Sequence, residues 1–178
     1  MKWWMAVTVL ATFVGVAAAA ESDEAMAIDL QLQNRSPADA HVVERLKAEV
    51  VRIFAAAGRT VRWTDSEPRY AVTILPQALG YPRASAPVMG MAQRVKSQPL
   101  ARIFFRQVQD FAREHRLDLG TTLAYVIAHE LGHLMLPGNA HSDRGLMRAE
   151  WDSALAREAS TGSLTFTHWQ AERIRASR

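Results

Sequence analysis

The 178 residues predict an α+β domain: a small mixed β-sheet, a long central helix carrying paired histidines, and a closing C-terminal helix. Three observations carry this. A strand, a helix and a strand follow one another near the start, the order that produces parallel pairing through a crossover. An apolar stretch at helical spacing, Leu123, Val126, Ile127, Leu131 and Leu134, contains His129, Glu130 and His133. Thr167 and Gln170 form the Thr-x-x-Gln pattern that opens a helix, here expected to run through Ile174.

The elements follow in order. Residues 1 to 20 begin with Lys2, continue as an apolar run from Trp3 to Val16 and end in Ala17 to Ala20, which reads as a secretory signal peptide (1–20) preceding one domain (21–178). Ile28, Leu30 and Leu32 alternate with Asp29, Gln31 and Gln33, a half-buried strand. Ser36 followed by Pro37 is read as the start of a helix with Val42, Leu46, Val50, Ile53 and Ala57 on its buried face, ended by Gly58. Thr60 to Trp63 and Tyr70 to Leu75 are two short strands. Pro76 to Pro99, with four prolines and no sustained period, reads as a long loop. Arg102 to Arg106 is expected to be a strand and Val108 to His115 a short helix, with the motif helix beginning near Thr121 or Thr122. Glu150 to Arg157 is a further helical segment and Gly162 to Phe166 a connector.

Composition narrows the function classes. The chain carries 21 basic and 18 acidic residues, and the charges are interspersed, which favours neither nucleic acid nor a membrane surface. There is no cysteine, so disulfides and thiolate metal ligands are excluded.

The chemistry is concentrated in His129 to Met147, HELGHLMLPGNAHSDRGLM. On a helix, residues four apart share a face, so His129 and His133 can bind one metal ion. Glu130 lies about 100° round the helix from His129, where its carboxylate serves as a general base rather than a ligand. A catalytic zinc usually has three protein ligands and one open position. Pro137 disfavours helical geometry at Leu136 and Gly138 permits a sharp turn, so His141 lies on a loop that can return to the metal as third ligand. Asp143, Glu150 and Glu158 are the other candidates for that place. His41, His115 and His168 have no ligand partner at useful spacing.

This stretch resembles the metzincin zinc metalloproteases, whose pattern is HExxHxxGxxH followed by a methionine turn. The His141-Ser142 and Leu146-Met147 pairs are similar to those of the matrixins. One departure is clear: four residues, Leu134 to Pro137, stand between the second histidine and the glycine where the family has two. The resemblance implies a zincin-like fold, with His129, His133 and His141 as ligands of one catalytic Zn²⁺, Glu130 as base and Met147 as the turn methionine. It further implies hydrolysis of protein or peptide substrates; with the signal peptide read at residues 1–20, the protein is expected to be secreted or periplasmic, and a monomer. Ile103 to Phe105, by the same resemblance, would be the edge strand that pairs with extended substrate. Two other readings stand beside it: a zincin-fold binding protein with a structural zinc, and a non-peptidase zinc hydrolase.

Overall fold

A computed structural model describes residues 27–78, 88–138 and 140–177. The expected signal peptide therefore lies outside the described residues.

Alternation in the first segment produces strand β1, Ala27–Asn34, which turns Ile28 and Leu30 into the core and leaves the polar positions between them less buried. Helix α1, Ala40–Ala56, follows. It starts later than Ser36-Pro37 suggests, because the cap is Asp39, whose carboxylate accepts from the Val42 N–H at 2.9 Å. Ser36 bonds back to Asn34 instead, at 2.6 Å from its hydroxyl. Strands β2, Thr60–Trp63, and β3, Tyr70–Leu75, both pair with β1 in parallel, as the strand–helix–strand order requires.

The expected long loop contains a strand. β4, Gly90–Val95, forms a hairpin with β5, Gln98–Phe104, across Lys96 and Ser97. Both turn residues have positive φ, 48° and 71°, the backbone of a tight I′-like hairpin turn normally marked by Asn-Gly. β5 begins four residues earlier than expected and runs through Pro99. It stops at Phe104, so Phe105 and Arg106 open helix α2, Phe105–His115. Among the described residues the sheet is five-stranded and mixed, in the order β2-β1-β3-β5-β4, with only the β4–β5 pair antiparallel.

This order corrects a second expectation. Ile103 lies on an internal strand, bounded by β3 and β4, and Phe105 belongs to a helix, so neither presents a free edge. The edge beside the histidines is β4.

Helix α3, Leu119–Met135, carries the motif. Its cap is Asp118, which accepts from the Thr121 N–H at 2.8 Å and sets the start ahead of Thr121. Leu136 leaves helical geometry at ψ 147°, as the following Pro137 demands. The helix packs against α1, α2 and the β4–β5 hairpin, and it is buried continuously from Thr122 to Gly132. Burial on all sides explains why its sequence is apolar well beyond one stripe. Tyr125 is fully buried there, its hydroxyl accepting from Arg52 Nη2 at 2.9 Å. Two short helices complete the chain: α4, Ser153–Ser160, capped by Asp152 rather than starting at Glu150, and α5, His168–Ala176, opened by the expected Thr167–Gln170 capping box. Among the described residues no helix is long and apolar enough to cross a membrane.

Candidate metal centre

The three histidines singled out in the sequence come together. His129 and His133 stand one turn apart on α3, and His141 returns on the loop after Gly138, whose φ of 64° turns the chain back. One ring nitrogen from each lies within 4.8 Å of the other two, and the ring centroids are 4.7 to 5.5 Å apart. The Nε2 atoms of His129 and His133 are 3.1 Å apart. Two nitrogens bound tetrahedrally at about 2.05 Å from a common zinc stand roughly 3.3 Å apart, so this pair is already at ligand spacing.

The donor set fits a metal for a second reason. His129 Nδ1 is 2.9 Å from the Leu146 carbonyl oxygen. A carbonyl can only accept, so Nδ1 carries the proton and Nε2 turns its lone pair toward the other two imidazoles, the usual support for a metal-bound histidine. Charge points the same way. Burial pushes the His129 pKa down to about 4; the Leu146 carbonyl opposes this, and His133 and His141 add to it. Burial also lowers the pKa of His133, with His141 contributing. Neutral imidazoles are the form that binds metal.

The other candidates for third ligand are elsewhere. Glu158 faces Arg148 at 3.4 Å, Asp143 and Glu150 are exposed, and none of them belongs to the cluster. His168 pairs with Glu172 at 3.3 Å and His115 lies against Phe111 at 4.4 Å between ring centroids.

Glu130 is buried and stands outside the ligand cluster. Its carboxylate reaches toward β4, where the Ala92 backbone N–H donates to it. Burial raises its pKa from 4.5 to about 7, against the pull of that hydrogen bond. β4 approaches so closely because residue 90 is glycine: a Cβ there would lie 2.7 Å from Glu130 Oε1.

Met147 is fully buried beneath the motif helix, with its sulfur against Gly132. A Cβ on Gly132 would run into that sulfur and lie 3.2 Å from Phe166 Cε1. Gly132→Ala should therefore destabilise the protein by about 1–3 kcal/mol, although alanine is the better helix former. Thermal unfolding of the variant at or above the unmodified midpoint would contradict this packing.

Above the histidines opens a cavity of about 790 Å³, with His129, Glu130, His133 and His141 among its lining residues. Its apolar walls include Met89, Met91, Phe111, Val126, Leu134 and Trp151. Trp151 meets Phe111 edge-on at 5.7 Å and lies 6.0 Å from the His129 ring. Neither Phe111 nor Trp151 was marked by any spacing in the sequence; only the position of Trp151 four residues after Met147 could have hinted at it. No protein-family model matches the chain, and no curated protein matches it.

Proposed function

We propose that the protein is a secreted zinc endopeptidase with a zincin-like fold of the metzincin kind. The observation that carries this reading is the convergence of three imidazoles in an open, apolar-walled cavity beside a buried carboxylate that is not one of them. An all-imidazole set suits zinc among the abundant divalent ions. Zinc, when bound, supplies Lewis acidity that polarises a carbonyl and makes water a nucleophile near neutral pH.

The chain supplies the rest. Glu130, held by the Ala92 N–H and raised toward neutrality, can take a proton at its carboxylate and return it to a leaving amine. Edge strand β4 favours a peptide over other hydrolysable substrates. The Phe104 N–H donates to the Met89 carbonyl at 2.8 Å, so Met89, Met91, Gln93 and Val95 face β5, while Gly90, Ala92 and Arg94 turn their backbone groups outward, the Ala92 N–H being the one that Glu130 holds. An extended peptide can add to that edge with its side chains alternating into and out of the cavity. A purely structural zinc would have its fourth position closed by protein. Here the cluster borders the cavity and His141 is exposed.

Purified protein loaded with one equivalent of zinc should cleave casein or a mixed peptide library. Chelation should stop cleavage and added zinc restore it. Stoichiometric zinc with no cleavage of any peptide would instead favour the binding-protein reading.

A further inference from the structure

The loop that bears His141 is braced by the C-terminal segment, and the brace runs through one buried amide. Gln170 is 2% exposed. Its Oε1 accepts from the Thr167 N–H at 2.9 Å, closing the capping box of α5, and its Nε2 donates to Ser142 Oγ at 3.0 Å. Ser142 is the neighbour of His141. Its hydroxyl donates to the Arg144 carbonyl at 2.8 Å, and its backbone N–H donates to the Met147 carbonyl at 2.9 Å.

The same loop is held again one turn further on. The Leu146 N–H donates to the Thr165 carbonyl at 2.8 Å, and the Leu146 carbonyl is the group that orients His129. Gly145, at φ 74°, allows this approach: a Cβ there would sit 2.8 Å from the Thr165 oxygen. One of the three imidazoles thus stands on, and a second is oriented by, a loop anchored to residues 165–170. His141 is carried by this loop, so its backbone is placed where the loop is held.

We infer that Gln170 and Ser142 are positioning residues for the metal centre, and that the C-terminal segment sets the third ligand in place before metal arrives. This rests on the metal-centre reading above. A preset ligand loses less freedom on binding, so the brace should appear as metal affinity rather than as fold stability alone.

The two roles of Gln170 can be separated. Glutamate keeps an acceptor for the Thr167 N–H, since a capping box takes either residue, but it offers no N–H donor to Ser142. Zn²⁺ affinity, measured by calorimetry against a competing chelator, should fall about 10- to 100-fold in Gln170→Glu and in Ser142→Ala. Ser142→Thr, which keeps the hydroxyl, should recover most of the loss. The double variant Ser142→Ala/Gln170→Glu should be no weaker than Ser142→Ala, which already removes the bond to Gln170 together with the one to the Arg144 carbonyl. With Co²⁺ as probe, the single variants should lose visible absorption intensity while far-ultraviolet circular dichroism stays unchanged.

Zn²⁺ affinities within twofold of the unmodified chain, losses that multiply in the double variant, or no recovery with threonine would each overturn the inference. Failure of the unmodified chain to bind Zn²⁺ would remove the metal-centre reading itself, and this inference with it.

Discussion

Glu130→Gln should lower peptide hydrolysis by at least 100-fold, and by as much as 10,000-fold, while zinc stays bound. The amide keeps the volume of the carboxylate and an oxygen to accept the Ala92 N–H, but it has no basic site for a proton. Because Glu130 lies outside the imidazole cluster, calorimetry should find zinc affinity close to that of the unmodified chain. Hydrolysis at more than a tenth of the original rate would remove Glu130 from the proposed chemistry.

The same variant has a consequence for stability in the metal-free protein, and its sign follows from the direction of the shift. Burial favours the protonated form, raising the folded pKa from 4.5 to about 7. Below pH 4.5 both folded and unfolded chains hold the proton and nothing is lost. As pH rises from 4.5 to 7 the unfolded chain releases its proton first, and the folded state loses stability relative to it. Above pH 7 the accumulated loss is roughly 3 kcal/mol, at about 1.4 kcal/mol per pH unit. Glu130→Gln removes it. In a chelating buffer at pH 8, urea unfolding should therefore show the variant to be more stable than its parent, with the advantage shrinking toward pH 4.5. His129 contributes in the opposite sense in both proteins: its depressed pKa costs stability as pH falls from 6.5 toward 4, and the comparison between them cancels it. A variant less stable than its parent at pH 8 would contradict the burial of an ionised Glu130.

His141→Ala should reduce zinc affinity by more than the roughly 10- to 100-fold typical of losing a supporting hydrogen bond, because it deletes a ligand rather than its support. His129 and His133 alone leave the ion two protein nitrogens, fewer than catalytic sites use. Hydrolysis should disappear at zinc concentrations that saturate the unmodified chain. His141 is exposed, so folding should be little affected and metal-free unfolding should change by under about 1 kcal/mol. Asp143→Ala is the matched control: it is two residues away on the same loop, outside the cluster, and should leave affinity unchanged. If Asp143→Ala weakens binding and His141→Ala does not, the third ligand has been assigned to the wrong residue.

Where the sequence was legible, local chemistry and tertiary demand agreed. The alternation of Ile28 and Leu30, the end of α3 before Pro137 and the Thr167–Gln170 box are each written in a few neighbouring residues and each is present. Where it misled, a competing local choice was available. Ser36 and Asp39 can both cap a helix, and Asp39 prevails while Ser36 bonds to Asn34. The Lys96-Ser97 turn lacks the glycine that usually announces a tight hairpin, so β4 was hidden among prolines and methionines.

The amino-acid sequence by itself determined the α+β class, the long buried helix and the His129–His133 pair on it, because each depends on spacing along a single segment; that His141 rather than Asp143, Glu150 or Glu158 joins the pair was decided by the fold. Only the tertiary structure decided which strand borders the histidines, that Glu130 is clasped by Ala92 across from Gly90, and that Gln170 reaches Ser142. Those are contacts between segments distant in the chain, chosen by how the whole core packs, and no short-range periodicity records them.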